Sequence, residues 1–419
     1  MGEKRNRMCP LGILKSQLAK RLSVLLHVFV LALWLLNSPI LANGQTPSQS
    51  PSNSESRSAA AEAAKNAGKA EQAIGLYRKA LAEDPRWAKG WESLGILLAD
   101  RKEYVQAREA FQNLVKIQPR SGDAWALLGI CEFRMGEYDL AVEHLEKART
   151  FEFANDTLFR LVYYYTAAVM VLRGDFDTAL VRLLLLSREG VASDELMEAY
   201  GLASLRVRAL PGGEEPALRP VVMEVGTLVA RSRDMAVIDG RKAFEKLIAK
   251  DPRLPGLNYT YGKYLASHAL YAEACESFKA ELQNSPNDPM TRLQIATIRA
   301  QYLNDPSGGL ELAREAVQSA PELFAGHLVL GRILLKLGET DRAVAELETA
   351  TKQAPDSVMV HTTLLNAYNK ANRKDDAARE QEILKRLQRF EASLKGQGSD
   401  AVSEKGRPAN REARDLDVQ

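Results

Sequence analysis

Between about residues 59 and 390 apolar positions recur at the spacing of amphipathic helices, with polar residues between them. The helical stretches are punctuated at regular places. Asp84-Pro85 and Gln118-Pro119 each end a helix, because Pro cannot continue the backbone ladder and restricts the residue before it. Gly136, Gly174 and Gly338 fall where one helix gives way to the next, the position at which a helix ends most easily on Gly. The punctuation has a period. Moving 91–119 forward by 34 residues puts Trp91 on Trp125, Leu94 on Leu128, Gly95 on Gly129 and Ala107 on Ala141. Pro252, Pro286, Pro321 and Pro355 continue the phase at intervals of 34, 35 and 34 residues. Measured from those prolines, Gly262 and Gly331 take the place of Gly95, and Ala274 and Ala343 that of Ala107. Phe244, Phe278, Ala313 and Leu347 take the place of Phe111.

Such a period means a helix pair that cannot bury its apolar face alone and must stack on its neighbours. The pattern of Trp, Leu-Gly, Ala, aromatic and closing Pro resembles the tetratricopeptide repeat (TPR) family. The phase covers 54–87, 88–121, 122–155, 156–193, 221–254, 255–288, 289–323 and 324–357, and a ninth unit, 358–390, closes the array. The resemblance implies an all-α fold, a right-handed superhelical solenoid of helix-turn-helix hairpins. Gly95 and Ala107 would let the two helices of a unit approach, while Trp91, Leu94 and Phe111 fill the space between units. Three departures stand out. Arg57 occupies the Trp position of the first unit, which leaves its helix A unanchored and expected to be unordered. Residues 194–209 read as one helix with no obvious partner. Pro211-Gly212-Gly213-Glu214-Glu215-Pro216 then breaks the phase, and the next unit has Glu224 in the Trp position. The expected organisation is therefore an N-terminal array over 59–209, a loop or joint at 210–220, and a C-terminal array over 221–390 with an end-capping helix.

The flanks differ from the array. Residues 24–36 (VLLHVFVLALWLL), behind Lys20-Arg21, are apolar apart from His27. Thirteen residues of helix span about 20 Å, short of the roughly 30 Å hydrocarbon core. Residues 1–42 thus read as a cleaved secretory signal peptide, with an uncleaved membrane anchor as the alternative. The stretch 43–58 (NGQTPSQSPSNSESRS) and the tail 391–419 carry too little apolar surface to order themselves, and read as a disordered linker and tail. The chain of 419 residues has a formal net charge of +2, and 1–42 alone carries +5. The remainder of the chain is mildly acidic, which removes the whole-chain electrostatic case for nucleic-acid binding. Cys131 and Cys275 lie 144 residues apart, each inside a helical pattern, and read as small buried residues rather than a disulfide.

No motif of catalysis emerges: the sequence has no phosphate-binding Gly loop, HExxH, paired CxxC, calcium loop or nucleophile elbow. Catalytic residues, cofactors and metals are all expected to be none. His327 and His361 occupy Trp positions and are expected to fill the seam between helices. A buried acid pair in the central 190–220 break would be the feature to revive an enzymatic reading. Binding remains. In the TPR family, helix A of each unit lines the concave groove, chiefly through unit positions 2, 5, 9, 12 and 13. The resemblance implies Lys89, Glu92, Arg134, Arg160, Tyr164, Tyr259, Lys263, Arg332, Lys336, Asn366 and Lys370 as groove residues. The second half is basic on this face, which points toward an acidic or carboxylate-bearing partner. The expected function is a non-catalytic scaffold that binds a protein or peptide through its groove in the cell envelope, as an exported protein of the periplasm. The alternative is a membrane-anchored assembly component of a secretion, pilus or polysaccharide-export system. No nucleic-acid partner is expected, and the membrane enters only through an uncleaved N-terminal segment.

Overall fold

The computed structural model describes residues 53–188, 193–232 and 235–403. The expected leader, most of the linker and the end of the tail lie outside them. The described residues form nineteen helices and no strand. In chain order these are α1 (Asn53–Asn66) with α2 (Ala70–Glu83), α3 (Ala88–Asp100) with α4 (Tyr104–Ile117), and α5 (Gly122–Met135) with α6 (Tyr138–Ala148). Next come α7 (Asp156–Arg173) with α8 (Phe176–Arg188), α9 (Asp194–Ser204) with α10 (Arg219–Arg231), and α11 (Val237–Lys250). The last are α12 (Leu257–Ser267) with α13 (Tyr271–Asn284), α14 (Pro289–Gln301) with α15 (Pro306–Ser319), α16 (Phe324–Leu337) with α17 (Thr340–Gln353), and α18 (Val358–Lys370) with α19 (Lys374–Ser403). The all-α succession of hairpins implied by the repeat is thus present. Contacts divide the chain into two compact units, Met1–Val162 and Tyr163–Gln419.

In the first unit the hairpin seam is built as the small residues demand. A Cβ added at Gly95 would lie 2.4 Å from the Phe111 ring, and one at Gly129 would lie 2.7 Å from Leu145. Ala107 and Ala141 are fully buried between the same helices. Helices α2 and α4 each end just before a Pro, with φ near −120° at Asp84 and Gln118. The Trp position is fixed by a hydrogen bond as well as by packing. The indole N–H of Trp91 donates to the Pro85 carbonyl, and that of Trp125 to the Pro119 carbonyl, both at 2.9 Å. The first helix A does form, against the expectation from Arg57, and it buries Ala61 and Ala64. It starts inside the stretch 43–58 that composition reads as linker.

The second unit repeats the plan in its C-terminal part. Gly262 faces Phe278 and Gly331 faces Leu347, with an added Cβ at 2.7 and 2.6 Å. Gly338 makes the expected turn at φ +82°, while Ala269 and Asn372 hold the same left-handed turn without Gly at φ +59° and +57°. His327 and His361 take over the Trp hydrogen bond, their Nε2 lying 2.9 and 2.8 Å from the carbonyls of Pro321 and Pro355. The other ring nitrogen reaches a carboxylate, Glu346 for His327 and Glu380 for His361. The last helix runs on to Ser403, past the boundary at 390 that composition suggests.

The central segment differs from the repeat phase. The helix at 194–204 has a partner, α10, which the phase places in the next unit. The two are joined by fourteen residues, 205–218, where the regular hairpins use two to four. They approach more closely than any side chain would allow: a Cβ at Gly201 would meet the Val222 carbonyl oxygen at 1.9 Å, and one at Gly226 the Met197 carbonyl oxygen at 1.8 Å. Left without α10, α11 packs on α12, where Phe244 lies against Tyr261 and Tyr264 with ring centroids 5.2 Å apart in both cases. The buried Glu281 carboxylate closes the next helix start, accepting the N–H of Gly256 at 2.8 Å and of Tyr259 at 3.2 Å.

Candidate functional site

Helices α14, α16 and α18 are successive A helices, and their polar faces meet along a continuous depression. Its larger part, about 350 Å³, lies between α16 and α18 and is lined by Arg332, Leu335, Lys336, Thr362, Thr363, Asn366 and Lys370. A smaller recess of about 40 Å³ continues it toward Thr297, Ala300 and Gln301 of α14. Arg332 and Lys336 line both parts, since residues four apart on a helix share a face.

The charge of this cleft is one-sided. Arg332, Lys336 and Lys370 contribute three cations, and no lining residue is acidic. The Arg332 guanidinium is half-buried and has one polar side-chain partner, the Thr363 hydroxyl at 3.4 Å. Burial draws its pKa below the ordinary arginine value, because desolvation penalises a cation that no carboxylate compensates. Lys336 is positioned by donating its ammonium to the Ala300 carbonyl, one of the last carbonyls of α14 that the helix itself leaves unpaired. Three cations in a concave wall give a local positive potential suited to an anionic group.

Four of the residues expected in the groove, Arg332, Lys336, Asn366 and Lys370, therefore come together. The others do not join them. Lys89 and Glu92 pair with each other at 3.0 Å in the first unit. Arg134 and Arg160 are half-buried in that unit. Tyr164 lies edge-on to Tyr165, with centroids 5.3 Å apart. Lys263 is exposed and faces Asp177 at 3.5 Å. Tyr259 is 5% exposed. It is covered by the Arg206 guanidinium 4.8 Å above its ring, and Arg206 in turn pairs with Asp288 at 3.3 Å. Sequence reasoning missed Thr362 and Thr363 in the cleft. Thr362 stands at position 5 of its unit, so the groove pattern could have found it. Arg206 had no such signal, since it comes from a connection outside the repeat.

The central break does hold a buried acid pair. The Glu198 and Glu214 side chains are each 2% exposed and share Arg219. That burial leaves no room for a substrate between them. Cys131 and Cys275 are free and buried, and burial pushes the Cys131 thiol up to about 12, which makes it inert. No group of three or more metal-binding side chains occurs among the described residues. No described helix is long and apolar enough to cross a membrane.

The fold and its polar helix-A face define a helical-repeat protein of the kind that serves as a protein-interaction scaffold. Comparison with known families agrees: profiles described as tetratricopeptide repeat match residues 58–121, 98–155 and 302–367. The matched segments, 58–155 and 302–367, are thus tetratricopeptide repeats. Among curated proteins it is 28% identical over 81 residues to the general transcriptional corepressor trfA of Dictyostelium discoideum, a match over 19% of this chain and 6% of that protein's length. Among solved structures, MamA from Desulfovibrio magneticus RS-1 is 18% identical with a TM-score of 0.35, covering 41% of this chain and 94% of that one. A second MamA crystal structure is 15% identical with a TM-score of 0.36, covering 39% and 94%.

Proposed function

We propose that this protein is a non-catalytic scaffold whose α14–α16–α18 cleft takes an acidic segment of a protein partner. The observation that carries this reading is the half-buried Arg332, flanked by Lys336 and Lys370, in a 350 Å³ cleft with no acidic lining residue. An extended peptide laid across the A helices would place a carboxylate on Arg332, and the charge-assisted bonds would replace the solvation that the guanidinium has lost. Thr363 and Asn366 would supply neutral hydrogen bonds beside it. The apolar run at 24–36 behind basic residues supports export to the cell envelope, with the array either released or held at the membrane by that run.

The test uses the full chain and two labelled decapeptides of equal length, one rich in Asp and Glu and one rich in Lys. The acidic peptide should bind and the basic one should not. Binding should weaken about tenfold in Arg332→Ala, equivalent to about 1.4 kcal/mol, and should weaken further with added salt. Equal binding of both peptides, or an affinity unchanged in Arg332→Ala with Lys336→Glu, would overturn the reading. A carbonate wash of envelope membranes distinguishes the released form from the anchored assembly component.

A further inference from the structure

The connection between α9 and α10 is held by a cluster that no repeat contains. Arg219, at the start of α10, donates through Nη1 to Glu198 Oε1 of α9 at 2.7 Å and to Glu214 Oε1 of the connection at 3.0 Å. The Gly212 N–H faces the same two carboxylates, Glu214 Oε2 at 3.1 Å and Glu198 Oε1 at shorter range. Both carboxyl side chains are 2% exposed. Among the described residues of α8, α10, α12 and the connection, Arg219 is the one cation within ion-pairing distance of either. Two buried carboxylates against one guanidinium leave one negative charge uncompensated, and burying an unpaired charge is costly. A single proton shared between the carboxylates removes it.

We propose that Glu198, Glu214 and Arg219 form a proton-operated latch that holds the 205–218 connection against the α9–α10 hairpin. The inference goes beyond the scaffold reading and stands without it. Burial, and then the neighbouring Glu214, push the Glu198 carboxyl from its ordinary 4.5 up to about 7, while the Gly212 N–H and Arg219 pull the other way. The latched state therefore binds the proton more tightly than the open one. Its stabilisation is complete below about pH 4.5, drains away as pH rises toward 7, and levels off above that. Once open, a segment containing Pro211, Gly212, Gly213 and Pro216 has no regular structure to fall back on. Arg206 keeps the near end in place through Asp288 and Tyr259, so release is confined to about 208–218.

Limited proteolysis of the full chain, with cleavage sites mapped by mass, tests the latch. Each rate is divided by that of Glu198→Gln in the same buffer, since the amide stands in for the protonated acid at every pH. Cleavage within 208–218 of the wild type should rise at least about tenfold between pH 5 and pH 7.5 and change little above that. Glu214→Gln leaves one carboxylate facing one guanidinium, and should keep the connection protected at pH 7.5. A wild-type ratio that stays flat from pH 5 to 7.5, or Glu214→Gln cut at pH 7.5 as fast as the wild type, would overturn the proposal.

Discussion

In the α16–α17 hairpin a Cβ at Gly331 would press on the Leu347 side chain at 2.6 Å; in α9–α10 a Cβ at Gly226 would press on the Met197 carbonyl oxygen at 1.8 Å. The two hairpins solve one problem in different ways. The regular one keeps a large side chain from helix B in the seam and makes room for it with a Gly on helix A. The central one sets helix backbone against helix backbone at two points, with Gly201 and Gly226 on opposite sides. A side chain can turn away from an intruding methyl group, but a helical carbonyl cannot move without its whole turn. The central seam should therefore be the more brittle, although it carries none of the conspicuous repeat residues.

The largest effect should come from that difference. Gly226→Val should cost more than about 4 kcal/mol, in the range reserved for severe overpacking, and should release α10 from α9. Gly331→Ala should cost about 1–2 kcal/mol, because Leu347 can shift and Ala returns part of the loss as helix propensity. Thermal or urea denaturation of the two variants measures both. Equal losses would mean that the central seam relaxes as a side-chain seam does.

The regular hairpins contain a second contrast, between those anchored by Trp and those anchored by His. Trp91 donates to a carbonyl and has the small, buried Ala110 nineteen residues on; His361 keeps the carbonyl bond and adds Glu380 at the same spacing. His361→Ala should cost about 3 kcal/mol, because it strands the Glu380 carboxylate, which is 8% exposed. The double variant His361→Trp with Glu380→Ala recreates the Trp91–Ala110 combination and should return to within about 1 kcal/mol of the wild type. A double variant as unstable as His361→Ala would show that the His–Glu pair fits a space that Trp cannot enter.

The regular hairpins were legible from the sequence because every constraint on them is local and periodic. Trp91 to Pro119 fixes a phase, and Gly262, Gly331, Ala274 and Ala343 fall into it at short range. The α9–α10 pairing was hidden because its partner lies beyond fourteen residues of connection. Its signature is also two glycines, which in a sequence are as easily read as turns. The phase set back from Pro252 placed α10 in the next unit, despite Glu224 in its Trp position. The cleft was half legible for the same reason. Arg332 and Lys336 stand four apart on one helix, so a periodic rule places them on one face. Tyr259 obeys the same rule and fails, because what covers it is Arg206, 53 residues earlier and outside the repeat.

Arg206 gives the smallest effect and the finest test of how the central hairpin ends. It leaves α9 with φ +59°, a left-handed turn that an L-residue adopts at a cost of about 1 kcal/mol. Against that cost stand the pair with Asp288 at 3.3 Å and the face of Tyr259 at 4.8 Å. A stacked, largely dry guanidinium contributes about 1–2 kcal/mol. Arg206→Ala keeps the strain and loses the contacts, so it should cost about 1–2 kcal/mol. Arg206→Gly loses the contacts but also the strain, and should cost about 1 kcal/mol less than Ala, measurable as a difference in urea midpoint. If Gly and Ala proved equal, the turn would be held by the Leu205 and Val207 backbone rather than by the residue between them. The seam of the central hairpin would then end, as it begins, on main chain alone.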